Sequence, residues 1–385
     1  MRNHLTTENS FWIPSIEKFK IMQELISQIH NCEKKIALAI TGGGTEAVAE
    51  LLKYGGGSAT VVDVSIPYAN ASLQGYLNSD PDKYCSPETA CLMAAAAFDK
   101  CRKLTGQKDV FGFGATSSLM KNQERDGREH WVHIASCTQN RTQSFSFQLN
   151  GPDRLTEEKH TTNLILECIA YQLLDNFLPV NLLKGIQRKS SKAWYTDLPY
   201  AEFDWKFHNF YEKNKYIMPG SFNPVHNKHF DMANYVWKTK NEKVAIEISM
   251  ENVDKPSIDH ITAEDRITKI FSYRPEAIDR IYVTRSPLFI EKARIFQNST
   301  FLVGGDTLNR IFNVKYYESQ AKFETAINEL KEYQTKFLVF PRLGYELNIP
   351  SVFEDACELV SPDYFTDDGI SSSQIRKERK ECLSL

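Results

Sequence analysis

The residues best suited to chemistry lie in the second half of the chain, in the run Gly220-Ser221-Phe222-Asn223-Pro224-Val225-His226-Asn227-Lys228-His229. His226 and His229 are three apart, so on a helix start both rings project to one side. The run falls between an apolar stretch and a helix-like one, at a helix N-terminus, where orphan N–H groups and the dipole favour anions. Gly220 lets the backbone turn and approach a ligand closely. Two imidazoles over a phosphate can stabilise the charge that develops in phosphoryl transfer. The bland reading is a surface histidine pair or a metal site.

Two further segments carry the same signature. Ile370-Ser371-Ser372-Ser373-Gln374-Ile375-Arg376 places three hydroxyls at a helix start with a guanidinium one turn in, a second anion cradle or an ordinary capped helix. Gly304-Gly305-Asp306-Thr307 follows an apolar run; the glycines permit close approach, and Asp306 is placed to orient a ribose or an adjoining loop. A tight strand-to-helix turn is the alternative. Each pattern is common alone. Together they occur in order, each at a strand-to-helix junction.

The elements that must position these residues are legible in the apolar spacing. From residue 213 the chain alternates strand and helix: strands at 216–218, 244–249, 281–284, 301–303 and 337–340, with helices through Met232 and Val236, at 261–271, at 323–333 and from Ser371 onward. Such alternation predicts a doubly wound, mostly parallel sheet with helices on both faces and ligands at the carboxyl ends of its strands. The first block, residues 1–184, is also α/β: a helix at 16–29, strands at 35–41, 60–66, 110–114 and 131–135, a half-exposed strand at 143–149, and a helix at 161–174. Ser86-Pro87-Glu88 reads as a capped helix start. Residues 185–212 lack periodicity but hold Trp194, Tyr195, Tyr200, Phe203, Trp205, Phe207, Phe210 and Tyr211, and read as a packed aromatic connector.

Bulk properties bound the rest. With 385 residues, two domains are expected. Lys and Arg number 46 against 49 Asp and Glu, a net charge of −3, which gives no broad footprint for nucleic acid. No apolar run spans a bilayer and the polar residues 1–10 lack a signal region, so no membrane partner and a cytoplasmic location are expected. The 8 cysteines form no C-x-x-C pair and read as reduced thiols; no protein metal site is expected.

The second block resembles the H-x-G-H nucleotidyltransferase superfamily and is most similar to nicotinamide-nucleotide adenylyltransferases and cytidylyltransferase-like proteins. The residues that carry this are G-S-F-N-P-V-H from Gly220, I-S-S-S-Q-I-R from Ile370, and the intervening Asn252-Val253-Asp254-Lys255-Pro256 and Gly304-Gly305-Asp306-Thr307. The resemblance implies a Rossmann-like domain in which an acceptor phosphate attacks the α-phosphate of ATP (or CTP), releasing pyrophosphate without a covalent intermediate. By that resemblance His226 and His229 contact the triphosphate, and Ser371, Ser372 and Arg376 hold the departing phosphates. Gly220, Ser221, Phe222, Asn223, Asp306 and Ser373 complete the nucleotide site, with Lys228 and Lys255 as weaker candidates. Mg2+ would neutralise the pyrophosphate, using few protein ligands. In one respect the chain departs from the family: Lys228 stands where the family has glycine between the histidines. A lysine there points away, adds a phosphate contact or blocks the pocket.

The first block resembles the nicotinamide mononucleotide amidohydrolase family, of the competence-damage-inducible C-terminal type. The corresponding residues are Ala39-Ile40-Thr41-Gly42-Gly43, Gly57-Ser58 and Tyr68-Ala69-Asn70-Ala71-Ser72-Leu73. The family's nucleophilic serine falls on Ala39 and its lysine on Leu73, so amide hydrolysis by that route is not expected. A scaffold or homo-oligomerisation domain is expected instead. The expected function of the whole is adenylyl transfer from ATP to a nicotinamide mononucleotide. Cytidylyl transfer to a phosphorylated alcohol, and a non-catalytic nucleotide-binding sensor or scaffold, are the alternatives.

Overall fold

The computed structural model describes residues 15–121, 128–190, 200–204, 215–253, 257–273, 275–342 and 344–383. They divide into two compact units: residues 1–68, 85–136 and 144–187 in one, and 69–84, 137–143 and 188–385 in the other.

In chain order the first half runs α1 (Ser15–Asn31), β1 (Lys35–Thr41), α2 (Glu46–Lys53), α3 (Gly57–Thr60), β2 (Val61–Ser65), α4 (Asn70–Leu77), α5 (Pro87–Thr105), β3 (Val110–Ser118), β4 (His130–Cys137), β5 (Thr142–Leu149), α6 (Arg154–Leu173) and β6 (Ile186–Lys189). Its strands form one sheet in the order β2-β1-β3-β4-β5-β6, with β1 parallel to both β2 and β3. The buried residues Ile36, Leu38 and Ile40 of β1 join Phe145, Ile165 and Ile169 in one apolar cluster. Ser86 caps α5 as its sequence predicts, its Oγ accepting from Thr89 N at 3.1 Å. Strand β5 corrects the half-exposed expectation: it is buried at every position but Gln148. Its polar alternates Ser144 and Ser146 are buried, and Ser146 Oγ lies 2.8 Å from His133 Nδ1.

The second half adds β7 (Tyr200–Asp204), β8 (Tyr216–Pro219), α7 (Asn227–Lys240), β9 (Val244–Ser249), α8 (His260–Ser272), β10 (Ile278–Thr284), α9 (Phe289–Ile295), β11 (Thr300–Gly304), α10 (Gly305–Ile311), α11 (Gln320–Glu332), β12 (Lys336–Phe340), β13 (Cys357–Leu359) and α12 (Ser372–Leu383). The sheet order is β13-β12-β11-β8-β9-β10-β7, parallel throughout except for β7. From β8 the chain proceeds to β9 and β10 on one side, then crosses to β11 and β12 on the other. The order therefore reverses between β8 and β11, where a doubly wound sheet opens its ligand crevice. One apolar cluster, with Ile246, Ile248 and Val283, and another, with Phe301, Val339 and Phe353, form its core.

Two parts of the connector, 185–212, are strands rather than irregular chain: β6 is the last strand of the first sheet, and β7 pairs antiparallel with β10. Both sit at sheet edges, where a strand needs a partner on one side only and shows little apolar periodicity. The aromatics Trp194, Tyr195, Trp205, Phe207, Phe210 and Tyr211 lie outside the described residues.

Candidate functional site

The first site segment leaves β8 at Pro219 and enters α7 at Asn227. Gly220 sits against the ring of Phe222; a Cβ there would lie 2.9 Å from it. Phe222 is itself buried and takes a positive φ of 46°, a conformation that a bulky residue holds only when packing enforces it. Arg266 of α8 supplies part of that enforcement, its guanidinium donating to Ser221 O at 2.9 Å. Burial pushes the Arg266 pKa down to about 10, against the opposing pull of the Asp259 carboxylate.

The two histidines meet as their spacing requires, ring centroids 3.9 Å apart. His226 N–H donates to His229 Nδ1 at 3.2 Å. Since Nδ1 accepts, the neutral His229 ring carries its proton on Nε2. Burial, then the neighbouring His226, lowers the His229 pKa to about 3, and burial likewise lowers that of His226. Both rings are thus neutral at pH 7. His226 Nδ1 is buried and makes no hydrogen bond within the described residues.

The C-terminal motif is carried by α12. Ser371 caps it, its Oγ accepting from Gln374 N at 3.2 Å. Ser372 Oγ donates to Pro224 O at 2.9 Å, while Arg376 donates to Asn223 O and, at 3.0 Å, to Ser373 Oγ. The two motifs, about 150 residues apart in sequence, therefore bind each other directly.

They line one cleft at the carboxyl ends of β8, β11 and β12. Its walls include Gly220, Ser221, Phe222, His226, Lys228, His229, Asp306, Arg342, Ser371, Ser372 and Ser373. Asn223 and Arg376 are not among the residues that line it; Arg376 bonds the Asn223 carbonyl instead. Lys255 lies outside the described residues, and Lys228 turns toward the loop before α12. Sequence reasoning missed Arg342, which follows β12 and donates to Asp367 Oδ1 at 3.2 Å and Ile370 O at 3.3 Å. Its position just past a strand's carboxyl end was the available signal. Nothing in the sequence marked Arg266.

A second cleft was also missed. It adjoins the first, sharing Pro219, Gly220, Ser221 and Thr307, and adds Asn252, Phe289, Arg310 and Tyr316. Its volume of about 170 Å3 is more than ten times the roughly 10–15 Å3 one water needs, so it is of ligand size. Arg310 lies 5.4 Å from the Tyr316 ring centroid, a cation–π distance. Its floor holds the buried pair Glu247 and Lys292, 2.9 Å apart, with Thr284 and Ser286 O as further partners.

The nucleophile position Ala39, in the first unit, is a buried apolar side chain, and so is the lysine position Leu73, which belongs to the segment 69–84 of the second unit. Thr41 Oγ1 donates to Pro67 O at 2.9 Å. The backbone N–H groups of Gly44 and Thr45 donate to Glu158 Oε1, at 2.8 and 3.2 Å, so this glycine turn already holds an anion of the chain's own.

Residues 217–378 match the cytidylyltransferase-like family, and this C-terminal part of the chain is a cytidylyltransferase-like domain. A curated relative is the "Putative nicotinamide mononucleotide adenylyltransferase" of Schizosaccharomyces pombe. It is 29% identical over 119 residues, which span 29% of this chain and 47% of that protein. The match thus covers about half the length of that relative. The N-terminal part is similar in structure to the competence/damage inducible protein CihA from Agrobacterium tumefaciens, at 17% identity and a TM-score of 0.32, covering 39% of this chain and 94% of that one. It is also similar to the competence-damaged protein (CinA) superfamily protein from Escherichia coli, at 13% identity and a TM-score of 0.33, covering 42% and 94%. Among the described residues no helix is long and apolar enough to cross a membrane.

Proposed function

We propose that the second unit is a nucleotidyltransferase that moves the adenylyl group of ATP onto nicotinamide mononucleotide. The observation that carries this is the pair of adjoining clefts that meet over Gly220 and Ser221. The cleft with His226, His229 and Ser371–Ser373 takes the triphosphate; the cleft with Phe289, Arg310 and Tyr316 takes the acceptor. The donor and acceptor phosphates then meet at the shared backbone, close enough for in-line attack.

An acceptor phosphate oxygen forms a bond to the α-phosphorus as the α–β bridging bond breaks, and the electron pair leaves with pyrophosphate. His229 Nε2–H donates to the charge developing on the α-phosphate, and a neutral donor of fixed direction needs no reorganisation to do so. Hydroxyls at the start of α12 receive the leaving phosphates, with the helix N-terminus behind them. Among the described residues no three of His, Cys, Asp and Glu gather as a metal cage, so Mg2+ would be held chiefly by phosphate oxygens, whose charge it neutralises. The choice of acceptor rests on the named activity of the fission yeast relative and on the aromatic rings Phe289 and Tyr316, suited to a flat heterocycle.

The test is pyrophosphate release from purified protein with Mg2+, ATP or CTP, and a panel of nicotinamide mononucleotide, its acid form and phosphorylated alcohols. Release with ATP that requires nicotinamide mononucleotide is expected. Release only with CTP and a phosphorylated alcohol would replace the proposal by cytidylyl transfer. Silence across the panel with triphosphate still binding would replace it by a nucleotide sensor. The same incubations should liberate no ammonia, since Ala39 and Leu73 supply neither nucleophile nor base, and Glu158 already occupies the glycine turn at Gly44 and Thr45.

A further inference from the structure

Lys228 occupies the position between the two histidines where a glycine would leave open space. Its side chain is only 20% exposed and does not extend into solvent. The ammonium donates to Thr366 O at 2.9 Å and lies 3.2 Å from Asp368 Oδ2 and 3.8 Å from Asp231 Oδ2. It also stands 5.4 Å from the centroid of the Phe365 ring. Phe365 is buried and packs edge-on against Phe340, ring centroids 4.8 Å apart. All of these loop partners lie in residues 365–368, immediately before Ser371 and α12.

The geometry points to Lys228 as a positioning residue: it latches the loop that carries the C-terminal phosphate motif onto the turn that carries the histidines. The functional consequence rests on the nucleotide-binding reading above. Residues 361–371 hold no helix or strand of their own. Such a loop costs conformational entropy to order, and Ser371 and Ser372 can be in place for a phosphate only once it is ordered. Arg342 holds the same loop from β12, through Asp367 and Ile370 O. Lys228 holds it from α7. Its ammonium is already matched by a carbonyl and by the carboxylates of Asp368 and Asp231, so it acts on the triphosphate through the loop rather than as a ligand. Asp368 is then a partner in the latch, not a competitor for the cation.

Three roles for Lys228 give different results across substitutions of Lys228 and Asp368. As a latch, Lys228→Met and Asp368→Asn each raise the KM for the triphosphate about tenfold, or about 1.4 kcal/mol, with kcat changed much less, and Lys228→Arg restores most of the loss. As a direct phosphate ligand, Lys228→Met weakens binding but Asp368→Asn, which removes the nearer of its two counter-charges, tightens it. As an obstruction, Lys228→Gly raises turnover. Either of the last two results overturns the latch. A second readout does not need nucleotide: amide hydrogen exchange of residues 361–373 in the full chain. It should quicken about tenfold in Lys228→Met and Asp368→Asn and recover in Lys228→Arg. Unchanged exchange overturns the latch whatever the activity. Faster exchange with an unchanged KM overturns its role in positioning. A natural chain that binds no triphosphate overturns the nucleotide reading and the positioning role with it, while the exchange still decides the latch.

Discussion

At the scale of single residues the site depends on protonation. His229 is a donor only because its Nδ1 is engaged by His226 N–H, and it stays neutral because burial holds its pKa near 3. His229→Ala removes that donor while leaving a cavity in a cleft rather than in the core. Turnover should fall roughly 100-fold or more, the scale of losing one transition-state donor, with the circular dichroism spectrum unchanged. Unchanged turnover would remove His229 from the mechanism. The sequence made the identity and spacing of this pair legible, but not its ionisation. An exposed imidazole has a pKa of 6.5 and would be partly charged; burial, to which the Phe222 ring at 4.8 Å between centroids contributes, together with the neighbouring His226, decides otherwise. Lys228 shows the same limit. The sequence left three directions open for it, and the position of the loop at 365–368 selects one.

At the scale of elements, local pattern served best where one element explains itself. Strands β1 and β9 fall on the residues their apolar runs predict, and α5 starts at its Ser-Pro cap. The edge strands β6 and β7 were not legible, because pairing on one side imposes little pattern. Nor was the short helix α9, whose 7 residues span just under two periods. The support of the glycine turn by α8 is likewise tertiary. Arg266 reaches Ser221 O, and Asp259 caps the same helix, accepting from Ile261 N at 2.9 Å and Thr262 N at 3.2 Å. Arg266→Ala removes this bond to Ser221 O and should lower unfolding free energy by about 1 kcal/mol. It should also weaken triphosphate binding, because the Ser221 turn loses its anchor. A variant with full stability and full affinity in denaturation and calorimetry would show that the turn holds itself.

At the scale of the molecule each unit has its own apolar core and its own buried histidine. Burial lowers the pKa of His133 in the first unit to about 4, and burial together with the Arg285 charge lowers that of His260 in the second to about 3, as for His229. A folded-state pKa below the unfolded value of 6.5 means that the unfolded chain binds more protons across the interval between them. The stability these groups supply is complete above pH 6.5 and is lost as pH falls toward 4 and then 3. Denaturant midpoints for the unfolding of each unit should therefore drop between pH 7 and pH 5. Midpoints that held constant over that range would mean that the buried rings are protonated in the native chain.

The sequence alone determined the chemistry on offer: histidines three apart at a helix start, hydroxyls and an arginine at another, and strand–helix alternation that makes a parallel sheet with its ligand edge at the strand ends. These follow from local periodicity and side-chain type, which act over a few residues. The tertiary structure decided what depends on distant partners. It brought Ser372 onto Pro224 and Arg376 onto Asn223, set a second cleft beside the first, and turned Lys228 toward the Thr366 carbonyl and Asp368. Burial, ionisation and the direction of a long flexible side chain are set by whatever packs against it. No spacing in the sequence names those neighbours before the sheet is assembled.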